Sequence, residues 1–120
     1  MANLILIVED HQLTLEALQS LMTAEGFAVE TAESGEQAIE KIALKKYDAV
    51  ILDIMLPRVD GFEVCRRIKA EPKNMGTPVI MLTALDVPDI GTRSAEAGAN
   101  DVILKPFEPE DLIARLKKLL

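Results

Sequence analysis

The sequence predicts an α/β fold: a doubly wound, three-layer sandwich with a five-stranded parallel sheet and five helices. Short runs rich in Val, Ile and Leu alternate with segments of helical period from one end of the chain to the other, which is the signature of βαβ units. The 120 residues are too few for a complete eight-stranded barrel, which leaves the open sheet. A carboxylate, Asp53, stands where one of the apolar runs breaks into a turn, and that is where open parallel sheets place their chemistry.

In chain order, the first strand is expected at Leu4 to Val8, and Leu15, Leu18, Leu21 and Met22 give the first helix its apolar stripe before Gly26 ends it. The second strand runs from Ala28 to Thr31, and Ala38, Ile39, Ile42 and Ala43 form the stripe of the second helix. A third strand spans Ala49 to Leu52. The Asp60-Gly61 turn leads into a third helix from about Gly61 to Ala70, with Val64, Cys65 and Ile68 inward and a stop near Pro72. The fourth strand covers Val79 to Leu82. Pro88 and Gly91 occupy the expected first turns of the fourth helix, so that helix should be short, late or mobile, with only Ala95 to Ala97 plainly helical. Gly98-Ala99-Asn100-Asp101 is a helix stop, and the fifth strand follows from Val102 to Leu104. The last helix carries Leu112, Ile113, Leu116 and Leu119, with Pro109 suited to its first turn.

Length and composition fit one domain over residues 1–120. No apolar stretch reaches the roughly 18 residues that cross a bilayer. The N-terminus lacks a basic leader, and its apolar run ends in Glu9-Asp10, so a cytoplasmic location and no membrane contact are expected. Cys65 is the sole cysteine, which excludes an intramolecular disulfide and suits a reducing compartment. A net charge of −7 opposes the counterion release that drives nucleic-acid binding, so direct binding of DNA by this chain is not expected. The cluster Arg66, Arg67 and Lys69 is flanked by Glu63 and Glu71 and reads as a solvated helix face. No P-loop, dinucleotide or nucleophile-elbow glycine pattern occurs.

Glu9 and Asp10 end the first strand and Asp53 ends the third, so an order that sets those strands side by side gathers three carboxylates. Such a cluster persists through protonation or a bound cation, and hard oxygen donors at a partly open site favour magnesium. Thr83 ends the fourth strand and Lys105 follows the fifth, adding a hydroxyl and an ammonium. That set can hold the spread negative charge of a transferring phosphoryl group, with Asp53 as nucleophile. Each residue alone has a structural reading: Asp10 as a helix N-cap, Asp53 as a turn cap, Thr83 as a satisfied strand-end hydroxyl, Lys105 as a solvated strand end. Their conjunction at four strand ends favours the chemical one. His11 has no Ser or Cys partner pattern and is assigned to a surface loop.

From Leu4 to about Leu119 the chain resembles the receiver domains of two-component response regulators, the CheY-like family. The resemblance rests on Ile5-Leu6-Ile7-Val8-Glu9-Asp10, the block from Asp53 through Met55, Pro57 and Asp60 to Gly61, Leu82-Thr83-Ala84, Gly98-Ala99, and Lys105-Pro106-Phe107. It implies the strand order 2-1-3-4-5, the order of flavodoxin-like doubly wound sheets, of which CheY is itself an established example. It implies Asp53 as phosphoacceptor, with Mg2+ (or Mn2+ in its place) held by Glu9, Asp10, Asp53 and the Met55 backbone carbonyl. Thr83, Ala84 and Lys105 would hold the phosphoryl group, the Lys105-Pro106 peptide would be cis, and Pro57 and Gly61 would shape the loop. A sensor histidine kinase or histidine phosphotransfer protein would be the donor. The fourth helix, fifth strand and fifth helix would carry the signal to an output domain or downstream protein, and could also pair in a homodimer. Such a chain is a switch rather than an enzyme.

The sequence departs from the family at Val102, where an aromatic residue is usual, and in the Pro88/Gly91 segment. Met55 and Leu85 are apolar at positions that modulate dephosphorylation in the family, which implies a long-lived phosphoryl form. A phosphate-independent docking module is the alternative. A magnesium-dependent phosphatase is less well matched, because the haloacid-dehalogenase pattern needs a carboxylate where Met55 stands.

Overall fold

The computed structural model describes residues 2–120, with Met1 outside them. Strands β1 (Leu4–Val8), β2 (Ala28–Ala32), β3 (Ala49–Leu52), β4 (Val79–Thr83) and β5 (Asp101–Leu104) alternate with helices α1 (Gln12–Ala24), α2 (Gly35–Leu44), α3 (Gly61–Ala70), α4 (Ile90–Glu96) and α5 (Pro109–Leu119). The sheet order is β2-β1-β3-β4-β5, and every pairing is parallel. Both features match the expectation. Three strands run one residue beyond their apolar runs because ladder pairing, rather than apolarity, sets their ends. Val8 pairs with Ala32, Leu104 with Thr83, and Ile80 with Asp101.

The period-2 alternation of side chains divides the core into two layers. Leu6, Val8, Val50, Leu52, Val79 and Met81 face the cluster that also holds Ala38 and Ile42 of α2 and Val64, Cys65 and Ile68 of α3. Ile5, Ile7, Ile51, Ile80 and Leu82 face Leu15, Leu18 and Met22 of α1 and Leu112, Ile113 and Leu116 of α5. Both faces of the sheet are covered, so the central strands read as unbroken apolar runs. Full burial of one such Leu or Ile side chain contributes roughly 1.5–3 kcal/mol.

Helix α4 is the shortest, with 7 residues, as its sequence suggested, but it starts at Ile90 rather than near Ala95. Ile90 is buried in the core and anchors the first turn. That tertiary contact offsets the roughly 1 kcal/mol that Gly91 costs in a helix. Gly98, at φ +102°, turns the chain out of α4 in a conformation few side-chain-bearing residues adopt. Among the described residues no helix is long and apolar enough to cross a membrane.

At the amino-terminal edge of the sheet lies a buried polar hub that sequence patterning did not indicate. Asn74 Oδ1 accepts from Tyr47 N at 2.9 Å and faces Thr77 Oγ1 at 2.9 Å, while its Nδ2 donates to the carbonyls of Ile42 at 2.7 Å and Lys45 at 2.8 Å. Thr77 Oγ1 also lies 3.0 Å from the Tyr47 carbonyl. The Tyr47 hydroxyl donates to Glu30 Oε1 at 2.8 Å, and Lys45 pairs with the other oxygen of that carboxylate.

Candidate functional site

The switch point of the sheet lies between β1 and β3, whose carboxyl ends are held in register with Val8 opposite Leu52. Backbone hydrogen bonds continue one residue past each strand: Glu9 N donates to Ala32 O and Asp53 N to Val8 O, both at 3.0 Å. The carboxylates of Glu9, Asp10 and Asp53 are thereby brought together, each offering an oxygen, with those oxygens within 4.8 Å of one another. Glu9 and Asp53 are buried, at 1% and 6% exposure, whereas Asp10 is open to solvent. Asp10 does not cap α1, because His11 occupies the N-cap position. His11 is exposed and contacts Thr14 Oγ1 at 3.1 Å through Nδ1, which agrees with its surface assignment.

Lys105, immediately after β5, reaches across the sheet end. Its Nζ lies 2.6 Å from Glu9 Oε1 and 3.5 Å from Asp53 Oδ2. Its backbone N donates to Thr83 O at 2.7 Å, and the Lys105-Pro106 peptide is cis. Thr83 is fully buried at the end of β4. Its Oγ1 accepts from Leu85 N at 3.0 Å, which leaves the hydroxyl proton available to a further acceptor. Ala84 beside it is exposed. Burial pushes the Glu9 carboxyl above its ordinary range and the nearby Asp53 charge adds to that push, while the hydrogen bond from Lys105 opposes it most strongly.

The loop after β3 is fixed from several sides. Asp53 Oδ1 accepts from Met55 N at 3.1 Å, and Gly61 N donates to Ile54 O at 2.8 Å. A Cβ on Gly61 would sit 2.4 Å from Asp53 O, so only glycine fits this close approach. Asp60 caps α3 by accepting from Glu63 N at 3.0 Å. Pro57 is exposed, and Arg58, at φ +63°, pairs with Glu36 of α2 at 2.6 Å. Val102 is half-buried against the α2–α4 side of the core and pairs with Met81. Sequence reasoning did not single out Arg93. It lines a depression beside the carboxylates with Asp10, Met55, Phe62 and Leu85, and it lies in the helix whose sequence signal was weakest.

Three hard oxygen donors and one ammonium at the switch point suit a divalent cation and a phosphoryl group, and the donor set fits Mg2+. Residues 5–117 match the response regulator receiver domain family. The chain belongs to that family. This receiver is 40% identical over 116 residues to the response regulator MprA of Mycolicibacterium vanbaalenii, a match covering 97% of the chain and 49% of that protein. The chain thus spans about half the length of the curated relatives it matches. The receiver also superposes on the chemotaxis protein CheY4 of Vibrio cholerae with TM-score 0.94 and 28% identity, covering 100% of each chain. The receiver domain of the sensor histidine kinase PA1611 of Pseudomonas aeruginosa superposes with TM-score 0.91 and 29% identity, covering 99% of this chain and 98% of that one. Its structure has a magnesium ion coordinated in the active-site cleft.

Proposed function

We propose that residues 1–120 act as one phosphoaccepting switch of a two-component or phosphorelay system, with Asp53 as the acceptor. The observation that carries this reading is the juxtaposition of Asp53 with Lys105, Glu9 and Asp10 at the end of a parallel sheet. The donor is a sensor histidine kinase or a histidine phosphotransfer protein. A carboxylate oxygen of Asp53 attacks phosphorus, the P–N bond to the donor imidazole breaks, and its electron pair returns to the ring nitrogen.

Asp53 is held for attack by Met55 N on Oδ1. The Thr83 hydroxyl, the Ala84 backbone N–H and Lys105 donate to the phosphoryl oxygens. Glu9, Asp10, Asp53 and the Met55 carbonyl would hold Mg2+, which when bound neutralises charge on the phosphoryl group. Drawing Lys105 toward a phosphoryl group weakens its bond to Glu9, which links occupancy of the site to β5 and α5. Output then passes to a downstream domain or protein through α4, β5 and α5, a face also suited to a homodimer. With Val102 in place of an aromatic, the signal does not depend on an aromatic swing behind Thr83. The chain works in the cytoplasm and turns over no external substrate.

The test is intact mass after incubation with acetyl phosphate and Mg2+. One phosphoryl adduct is expected, absent in Asp53→Asn and without Mg2+. Because exposed Met55 and half-buried Leu85 offer no polar group to orient an attacking water, the adduct should decay slowly. Absence of any adduct on folded protein would favour a phosphate-independent docking module.

A further inference from the structure

The depression beside the candidate site is lined by Asp10, Met55, Asp60, Phe62, Leu85 and Arg93, among others. Arg93 lies midway along α4, and its guanidinium carbon stands 4.6 Å from the centroid of the Phe62 ring. Among the described residues it makes no ion pair, although two carboxylates line the same depression. Lys105, the other cation nearby, is already engaged by Glu9 and Asp53. Stacking on an aromatic face at an exposed site contributes only about 0.5–1 kcal/mol. Arg93 is therefore a lightly held charge, free to exchange the ring for a better partner. Its planar fork matches a carboxylate or phosphate group bidentately.

We propose that Arg93 is a specificity-determining residue that favours acyl phosphates as small-molecule donors by binding the carboxylate they release. The inference rests on the reading of Asp53 as phosphoacceptor. In that transfer an Asp53 oxygen bonds to phosphorus and the P–O bond to the acyl oxygen breaks. The electron pair stays on that oxygen, and a carboxylate departs with no proton required. In-line displacement sends the leaving group away from Asp53, toward the mouth of the site. Of the two acids lining the depression, Asp10 would be engaged by Mg2+, Asp60 repels an anion, and Arg93 supplies the opposing charge. Donors that leave as an amine or imidazole depart without a negative charge and gain nothing from Arg93.

The experiment measures second-order rate constants for adduct formation by intact mass, with acetyl phosphate and with phosphoramidate, for wild type, Arg93→Ala and Arg93→Lys in Mg2+. Arg93→Ala is expected to lower the acetyl phosphate rate roughly tenfold, the loss of one charge-assisted contact, and to leave the phosphoramidate rate nearly unchanged. Arg93→Lys should recover part of the acetyl phosphate rate, since it keeps the charge and loses the fork. An equal fall with both donors, which a merely structural role in α4 would produce, overturns the proposal, and so does no change with either. If wild type forms no adduct with either donor, the phosphoacceptor reading itself fails.

Discussion

At the amino-terminal edge of the sheet Asn74 and Thr77 are as deeply buried as Glu9 and Asp53 are at the carboxyl-terminal edge, yet the two edges treat their polar groups in opposite ways. Each side-chain nitrogen and oxygen of Asn74 has a partner, and the Asn74–Thr77–Tyr47 hub carries no net charge. Three carboxylates gather at the other edge against one ammonium, Lys105. A buried polar group that is fully partnered stabilises and orders its surroundings, whereas incompletely balanced buried charge is costly and persists through protonation or a bound cation. Burial of polar atoms alone therefore does not distinguish the two edges; uncompensated charge does.

The largest expected effect falls on the balanced edge. Asn74→Ala deletes four hydrogen bonds and orphans Tyr47 N–H and the Ile42 and Lys45 carbonyls. A loss of about 3 kcal/mol should follow, read as a lower urea midpoint, with Asp53 still reactive toward acetyl phosphate below the transition. A midpoint that does not move would break the contrast between the edges.

Cys65 separates burial from charge imbalance. Burial pushes its thiol from 9.0 up to about 11, with the charges of Lys69 and Arg66 opposing. The folded thiol stays protonated while that of the unfolded chain ionises. Its contribution is therefore complete below pH 9.0 and is lost as pH rises toward 11, at about 1.4 kcal/mol per unit. The slope of unfolding free energy against pH in that window should be shallower in Cys65→Ala. Equal slopes would mean that burial alone does not perturb titration here.

The smallest effect tests the unbalanced edge. Glu9→Gln removes a buried charge and its repulsion with Asp53, and the variant should be more stable at neutral pH by about 1 kcal/mol. Thermal melts with and without Mg2+ should also show a smaller rise in Tm than in wild type, because one oxygen donor has lost its charge. A variant less stable than wild type would indicate that the Lys105–Glu9 pair outweighs the crowding of acids.

Most of the sheet was legible because Leu4–Val8 and Ala49–Leu52 carry local apolar patterns whose ends coincide with the ladders. Glu9, Asp10, Asp53 and Lys105 were legible as a set because strand ends in a parallel sheet converge whatever their separation along the chain. The Asn74–Thr77 hub was not. Pro72-Lys73-Asn74-Met75-Gly76-Thr77-Pro78 has the composition of an ordinary turn, and the partners of Asn74 on Tyr47, Ile42 and Lys45 lie 27 to 32 residues away. The stacking of Arg93 on Phe62 was hidden for a related reason. It joins two helices whose mutual placement follows from the packed sheet and not from any local pattern.

The contact of Gly61 with the backbone of Asp53 makes the intervening residues a closed ring, tied at its neck by a carbonyl and a glycine that permit no side chain between them. A ring of that kind has a set circumference. Inserting or removing a residue between Ile54 and Asp60 pulls directly on the Asp53 carboxylate, whereas the turn at Glu25-Gly26, where an added Cβ meets nothing, can take a new pair of chain ends. Circular permutants opened at that turn should therefore keep the chemistry that permutants opened inside the ring lose.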